Sequence, residues 1–232
     1  MNARDRLVVA LDVPTLEEAS ALVDRLAGLA GMFKVGSQLF TAGGPDLVRG
    51  LVARGEKVFL DLKYHDIPNT VAGAVSAACR LGVSLVDVHA LGGKSMMEAA
   101  VGAMPAMGTR LLAITVLTSH DAASFGDLGL AGDVADTVRR LALLADAAEV
   151  DGVVASPQEV PIIREACGKD FLVVTPGIRP AGARTADQAR SATPAAALKA
   201  GADLLVVGRP IIEAADPAAA ARAILREMEG VA

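Results

Sequence analysis

The sequence lacks most of what marks a nucleic-acid binder. It has no Trp, one Tyr and five Phe, so aromatics make up 3% of its 232 residues. It has no basic block, and its formal net charge is -5. Nucleic-acid binders present a basic face, often with stacking aromatics, so that class is set aside. Anionic small molecules remain open, because local Arg and Lys can focus positive field inside an acidic protein. Cysteine is also scarce. Cys79 and Cys167 stand alone, without CxxC spacing, and read as small buried hydrophobes in a reducing compartment. No apolar run approaches the ~18 residues of a transmembrane helix. The apolar run after the charged Met1–Arg6 segment ends at Asp12, too short for a signal-peptide core. These absences lead to the expectation of a cytoplasmic chain with no membrane partner.

What is present is a large apolar fraction, 53%, against 21% charged residues. That balance excludes disorder and leaves ample surface for a core. Short β-branched runs alternate with Ala/Leu-rich segments of helical period. The strand candidates are Leu7–Asp12, Met32–Gly36, Val58–Lys63, Leu85–Ala90, Leu111–Leu117, Gly152–Ser156, Phe171–Thr175 and Leu204–Gly208. Their continuous apolar character is that of parallel strands buried on both faces. Helices are expected between the strands, for example over Leu16–Leu29, Thr70–Leu81, Val134–Ala148 and Pro194–Ala200, giving eight βα units. Thr15 before Glu17 and Glu18, and Ser156 before Pro157, read as helix starts. No Gly-rich phosphate loop follows the first strand, which disfavours a dinucleotide fold. The expected fold is therefore α/β, a (β/α)8 TIM barrel in which residues 1–232 form one domain. Its one long loop, residues 177–192, reads as a functional lid.

In such a barrel the chemistry sits at the C-terminal strand ends. Charged residues inside apolar strands are costly unless paired or functional, and here they recur at that end. Asp12 closes the first strand and Lys34 lies in the second. Asp61 and Lys63 close the third, with Asp66 just beyond. Residues two apart on a strand face the same way, so Asp61 and Lys63 are expected to project together into the mouth. An alternating array of carboxylates and ammonium groups can hold Lys63 protonated as a fixed cation and proton donor. Phosphate is expected on the loops after strands seven and eight, where Arg179 and Gly208-Arg209 fall. His65, His89 and His120 show no metal-binding spacing and read as hydrogen-bonded structural residues. No Ser-His-Asp set or GxSxG elbow appears, which argues against acyl hydrolysis.

The segment Asp61-Leu62-Lys63-Tyr64-His65-Asp66-Ile67-Pro68-Asn69-Thr70 resembles the DxKxxD signature of the orotidine 5'-phosphate decarboxylase family. The resemblance covers nearly the whole chain. It takes in Ala10-Leu11-Asp12, Phe33-Lys34-Val35-Gly36, Val88-His89-Ala90 and Leu117-Thr118-Ser119. It continues through Val174–Pro180 and Val207-Gly208-Arg209-Pro210. It implies a cofactor-free homodimer, with no metal, converting orotidine 5'-monophosphate to UMP and CO2 in de novo pyrimidine synthesis. By the same resemblance Lys63 is the proton donor to C6 and Asp61 lies against the substrate carboxylate. Asp66 and Thr70 reach the partner subunit's site. Asp12 and Lys34 hold ribose hydroxyls, and Lys34 completes the charge array. Thr118 addresses the pyrimidine edge. Arg179 belongs to the lid, Gln188 bridges phosphate and base, and Gly208 and Arg209 hold the phosphate.

Two alternatives compete. Metal-dependent sister enzymes, such as 3-keto-L-gulonate 6-phosphate decarboxylase or hexulose-phosphate synthase, stabilise an enediolate on Mg2+ and typically carry an acid where this chain has Lys34. A cation there opposes Mg2+. A non-catalytic phosphate-ligand binder on a barrel scaffold is not excluded by fold, yet it has no need of Lys63 between two carboxylates.

Overall fold

Alternation along each strand decides the architecture. In the computed structural model, which describes residues 1–105, 108–120, 122–127, 132–180 and 191–231, eight parallel strands close into a barrel in sequence order. They are β1 (Leu7–Ala10), β2 (Met32–Gly36), β3 (Val58–Tyr64), β4 (Leu85–His89), β5 (Arg110–Ile114), β6 (Gly152–Val154), β7 (Leu172–Thr175) and β8 (Leu204–Val207). Closure comes from β1 pairing with both β2 and β8, as in Val8 opposite Met32 and Val206.

The two faces of these strands build two cores. Val8, Ala10, Met32, Phe59, Leu85, Leu112, Leu172, Val174, Leu204 and Val206 pack together in the lumen. The alternate residues, such as Leu7, Val9, Phe33, Leu60 and Val86, pack in a larger layer against the helices. Both faces are therefore apolar, as a parallel barrel requires. Carboxylates tie the barrel outside the lumen: Asp151 accepts the Leu111 N–H at 2.7 Å and Asp203 accepts the Val173 N–H at 2.8 Å while pairing with Arg164.

The helices follow local signals with instructive exceptions. Thr15 caps the helix Leu16–Arg25 by accepting the Glu18 N–H at 3.2 Å. Ser156-Pro157, by contrast, does not start a helix. The Glu159 carboxylate accepts the Ser156 N–H at 3.1 Å, the chain turns, and the helix begins at Val160. The segment after β2 is helical over Ser37–Ala53 and is broken at Gly44, with φ 60°, just before Pro45. Cys79 and Cys167 are free thiols and half-buried at the edge of the outer core, not fully buried. No described helix is long and apolar enough to cross a membrane.

Packing is tight between β6 and β7. A Cβ on Gly152 would lie 2.1 Å from the Leu172 carbonyl oxygen and 2.5 Å from its Cβ. Backbone cannot yield there without shifting the strand pair. Gly152→Ala is therefore expected to cost about 2–3 kcal/mol, a fall in Tm of roughly 5–10 °C. Thermal unfolding followed by circular dichroism checks this, and an unchanged Tm would contradict the close approach.

Candidate functional site

The lumen columns change character from bottom to top. Val8 and Ala10 lead to Asp12, Met32 leads to Lys34, Phe59 leads to Asp61, and Leu85 leads to Asp87. Strand periodicity keeps each column facing inward, so the apolar lumen is capped by a charged mouth. A cavity of about 520 Å³ opens there, within the size range of small-molecule sites.

Asp12, Lys34, Asp61, Lys63, Thr118, Arg179, Gly208 and Arg209 all line this one cavity. The first four form a chain of alternating charge. The Lys34 ammonium lies 3.1 Å from an Asp12 oxygen and 3.0 Å from Asp61 Oδ2, while Asp61 Oδ1 pairs with the Lys63 ammonium. Lys34 and Asp61 side chains are only 10% and 11% exposed; that of Lys63 is 40% exposed. Lys63 is thus the cation of the array that faces the open cavity.

Burial and pairing compete at each group. Burial works to lower the Lys34 pKa, but Asp61 and Asp12 outweigh it, and the net shift is upward. Burial works to raise Asp61, but Lys34, a hydrogen bond with Asp87 and the Lys63 ammonium outweigh it. Its carboxyl is held well below the usual range. At neutral pH Lys34 is an ammonium and Asp61 a carboxylate.

The way Lys63 reaches the mouth departs from simple strand alternation. Pairing of β3 with β4 runs from Leu60 opposite Val86 to Tyr64 opposite Val88, so the ladder slips between them. Lys63 sits in this bulge with φ 51°, a left-handed conformation that a residue with a long side chain adopts at a cost of about 1–3 kcal/mol. Its N–H bonds to the Asp87 carboxylate at 2.8 Å. Asp87 lies in β4 and is fully buried. Sequence reading took His89 as the polar end of that strand and passed over Asp87. The inward column Leu85–Asp87 was the signal that could have found it.

Other expected site residues fall differently. Asp12 and Thr118 lie past the ends of β1 and β5, in the loops that follow. Arg179 stands at the neck of the loop after β7, where its N–H bonds to the Ala192 carbonyl at 2.9 Å. Gln188 lies outside the described residues. Asp66 and Thr70 do not join the cavity. They stand exposed beside it, with Asp66 accepting the Ile67 N–H at 2.6 Å. Their neighbour Ile67 is 66% exposed, and Leu91, after β4, is 45% exposed.

The histidines converge despite their spacing. His65 and His89 stack with ring centroids 5.3 Å apart. Burial, His65, Lys63 and His120 together push His89 down to about 4, so it is neutral at pH 7. Its Nδ1 accepts the Leu91 N–H at 3.4 Å. Among the described residues no group of three His, Cys, Asp or Glu side chains is placed to hold a metal.

Comparison with known proteins fits this geometry. A protein from Halorhodospira halophila named orotidine 5'-phosphate decarboxylase is 59% identical, over 96% of this chain and 95% of its own length. A protein of the same name from Moorella thermoacetica is 54% identical, over 100% of this chain and 95% of its own length. The crystal structure of orotidine 5'-phosphate decarboxylase from Lactobacillus acidophilus superposes with a TM-score of 0.84 at 40% identity, covering 96% of this chain and 98% of that one. A family model matches residues 5–224, so the mouth and every barrel strand fall within it, and the chain belongs to the orotidine 5'-phosphate decarboxylase / HUMPS family.

Proposed function

We propose that this chain decarboxylates orotidine 5'-monophosphate to UMP and CO2, acting as one barrel domain over residues 1–232, without metal or cofactor. The observation that carries the reading is the chain of charges Asp12–Lys34–Asp61–Lys63 at the mouth of a cavity also lined by Arg209. Breaking the C6–carboxylate bond leaves an electron pair on C6 with little resonance relief. A preorganised ammonium beside that carbon stabilises the charge as it develops, the type of effect that is often largest in catalysis. Lys63 then gives its proton to C6 and recovers one from water. Asp61 lies against the departing carboxylate and, with Lys34, fixes the position of Lys63. Asp12 and Lys34 hold the ribose hydroxyls, Thr118 the pyrimidine edge, and Gly208 and Arg209 the phosphate. Arg179 and Gln188 close over phosphate and base, so that phosphate binding far from C6 supports the chemical step.

The metal-dependent chemistry of sister enzymes fits the residues less well. The Lys34 ammonium occupies the space between Asp12 and Asp61 where a divalent cation would seek its carboxylates. In the functional enzyme Asp66 and Thr70 reach across a homodimer into the partner's cavity, which accounts for their exposure here. The compartment that suits this chemistry and the free thiols is the cytoplasm.

The test is to mix the purified chain with orotidine 5'-monophosphate, with and without EDTA, and follow ultraviolet absorbance. Conversion to UMP at the same rate in both is expected. No conversion, or conversion abolished by EDTA, would overturn the reading and point to sugar phosphates with Mg2+.

A further inference from the structure

Asp87 lies among the charged residues of the mouth, and the reaction above supplies it no task. It is fully buried. Its Oδ1 accepts the Lys63 N–H at 2.8 Å. That N–H lies within the bulge, where the β3–β4 register slips from Leu60 opposite Val86 to Tyr64 opposite Val88. The Asp87 side chain therefore replaces a ladder bond and holds the left-handed turn at Lys63. Its other oxygen, Oδ2, is also buried and has no donor to accept from. What Asp87 does have within hydrogen-bonding reach is Asp61, another carboxyl.

An orphaned carboxylate oxygen in a dry site is costly. Two carboxylates in contact are costlier still, because like charges in low dielectric repel strongly. One proton shared between them removes both penalties. Asp61, gripped by Lys34 and Lys63, is the partner that stays charged. Asp87 is the partner that keeps the proton, and its Oδ2–H then has an acceptor. We propose that Asp87 is a positioning residue, protonated at neutral pH, whose O–H donates to Asp61 while its other oxygen fixes the Lys63 main chain. One side chain thereby sets the relative position of the two central residues of the array.

The ionisable groups that face it support this assignment. Burial and Asp61 push the Asp87 carboxyl well above the usual carboxylate range, and Lys63 opposes them without prevailing. Tyr64, the other ionisable group beside it, is itself raised by burial and by Asp87, so it remains neutral. The consequence for function rests on the decarboxylase reading, but the protonation does not.

Two variants separate the roles. Asn presents the same carbonyl to the Lys63 N–H and an N–H donor to Asp61, so Asp87→Asn mimics the protonated acid. Ala presents neither. Infrared difference spectra of native protein minus Asp87→Asn at pH 7 are expected to show a protonated-carboxyl C=O band. Absence of that band would overturn the proposal whether or not the chain turns over any substrate. With native turnover measured alongside, Asp87→Asn is expected to keep kcat within about threefold, and Asp87→Ala to lower it about 30-fold or more with KM within about threefold. Loss of kcat in Asp87→Asn equal to that in Asp87→Ala would show that the negative charge matters and would overturn the proposal. So would native-like kcat in Asp87→Ala. A native chain that fails to convert orotidine 5'-monophosphate would instead strike the functional reading and leave the infrared result standing.

Discussion

Lys63→Ala is expected to lower kcat for decarboxylation by about 10⁴-fold or more, with the fold intact. In the proposed mechanism Lys63 supplies two effects at once, a cation beside C6 while charge develops and the proton that replaces CO2. Its side chain is 40% exposed over the cavity, so truncation opens no hole in the core. Asp61 keeps a partner after the change, because Lys34 remains 3.0 Å from its Oδ2. Circular dichroism and thermal unfolding should therefore resemble the native chain while absorbance at substrate saturation shows no measurable conversion. Lys63→Arg is not expected to rescue, because a guanidinium keeps its proton. Arg209→Ala provides the contrast. In the proposed binding mode it removes a charge-assisted phosphate contact worth about 2–3 kcal/mol, so KM should rise roughly 30- to 150-fold with a smaller change in kcat. A Lys63→Ala protein with near-native kcat would end the proton-donor mechanism.

The barrel was readable because parallel strands buried on both faces appear as short apolar runs between turn residues. Met32–Gly36 appears with the same bounds in sequence and structure. Much of the mouth was readable for the same reason, since Lys34 and Asp61 break such runs where only function or pairing tolerates charge. What escaped depends on contacts between distant segments. Simple alternation pointed Lys63 toward the mouth, but it arrives there through a bulge in which its N–H bonds to Asp87 on the neighbouring strand. The stacking of His65 on His89 likewise follows from the register of two strands, Tyr64 opposite Val88, which spacing along one strand does not show. The helix after β2 follows from the βα repeat, and Gly43-Gly44-Pro45 kinks it at Gly44 without losing the helix on either side. Ser156-Pro157 misled in the opposite direction: the Ser156 hydroxyl accepts the Gln158 N–H and the Glu159 carboxylate accepts the Ser156 N–H, yet residues 157–159 form a turn and the helix begins only at Val160.

A hybrid dimer of Lys63→Ala with Asp66→Asn is expected to regain about half of native activity, although neither homodimer alone turns over at a useful rate. The reasoning starts from the exposure of Asp66 and Thr70, which stand beside the cavity without entering it. Ile67 between them and Leu91 on the adjoining loop leave apolar surface uncovered. Gly92, in the turn after β4, approaches His65 closely enough that a Cβ there would lie 3.3 Å from its ring, so the two loops form one surface. A second copy laid over that surface would bury it and bring Asp66 to the other cavity. If so, each site draws Lys63 from one chain and Asp66 from the other. In the hybrid, one site then combines both substitutions and is dead, while the other receives native Lys63 from the Asp66→Asn chain and native Asp66 from the Lys63→Ala chain. Co-expression with two different affinity tags and sequential purification isolates that hybrid. If each site were built within a single chain, both halves of the hybrid would carry a lesion and no activity would return. A chain that cannot be captured as a hybrid at all would show that the surface around Ile67 and Leu91 is not covered by its own kind.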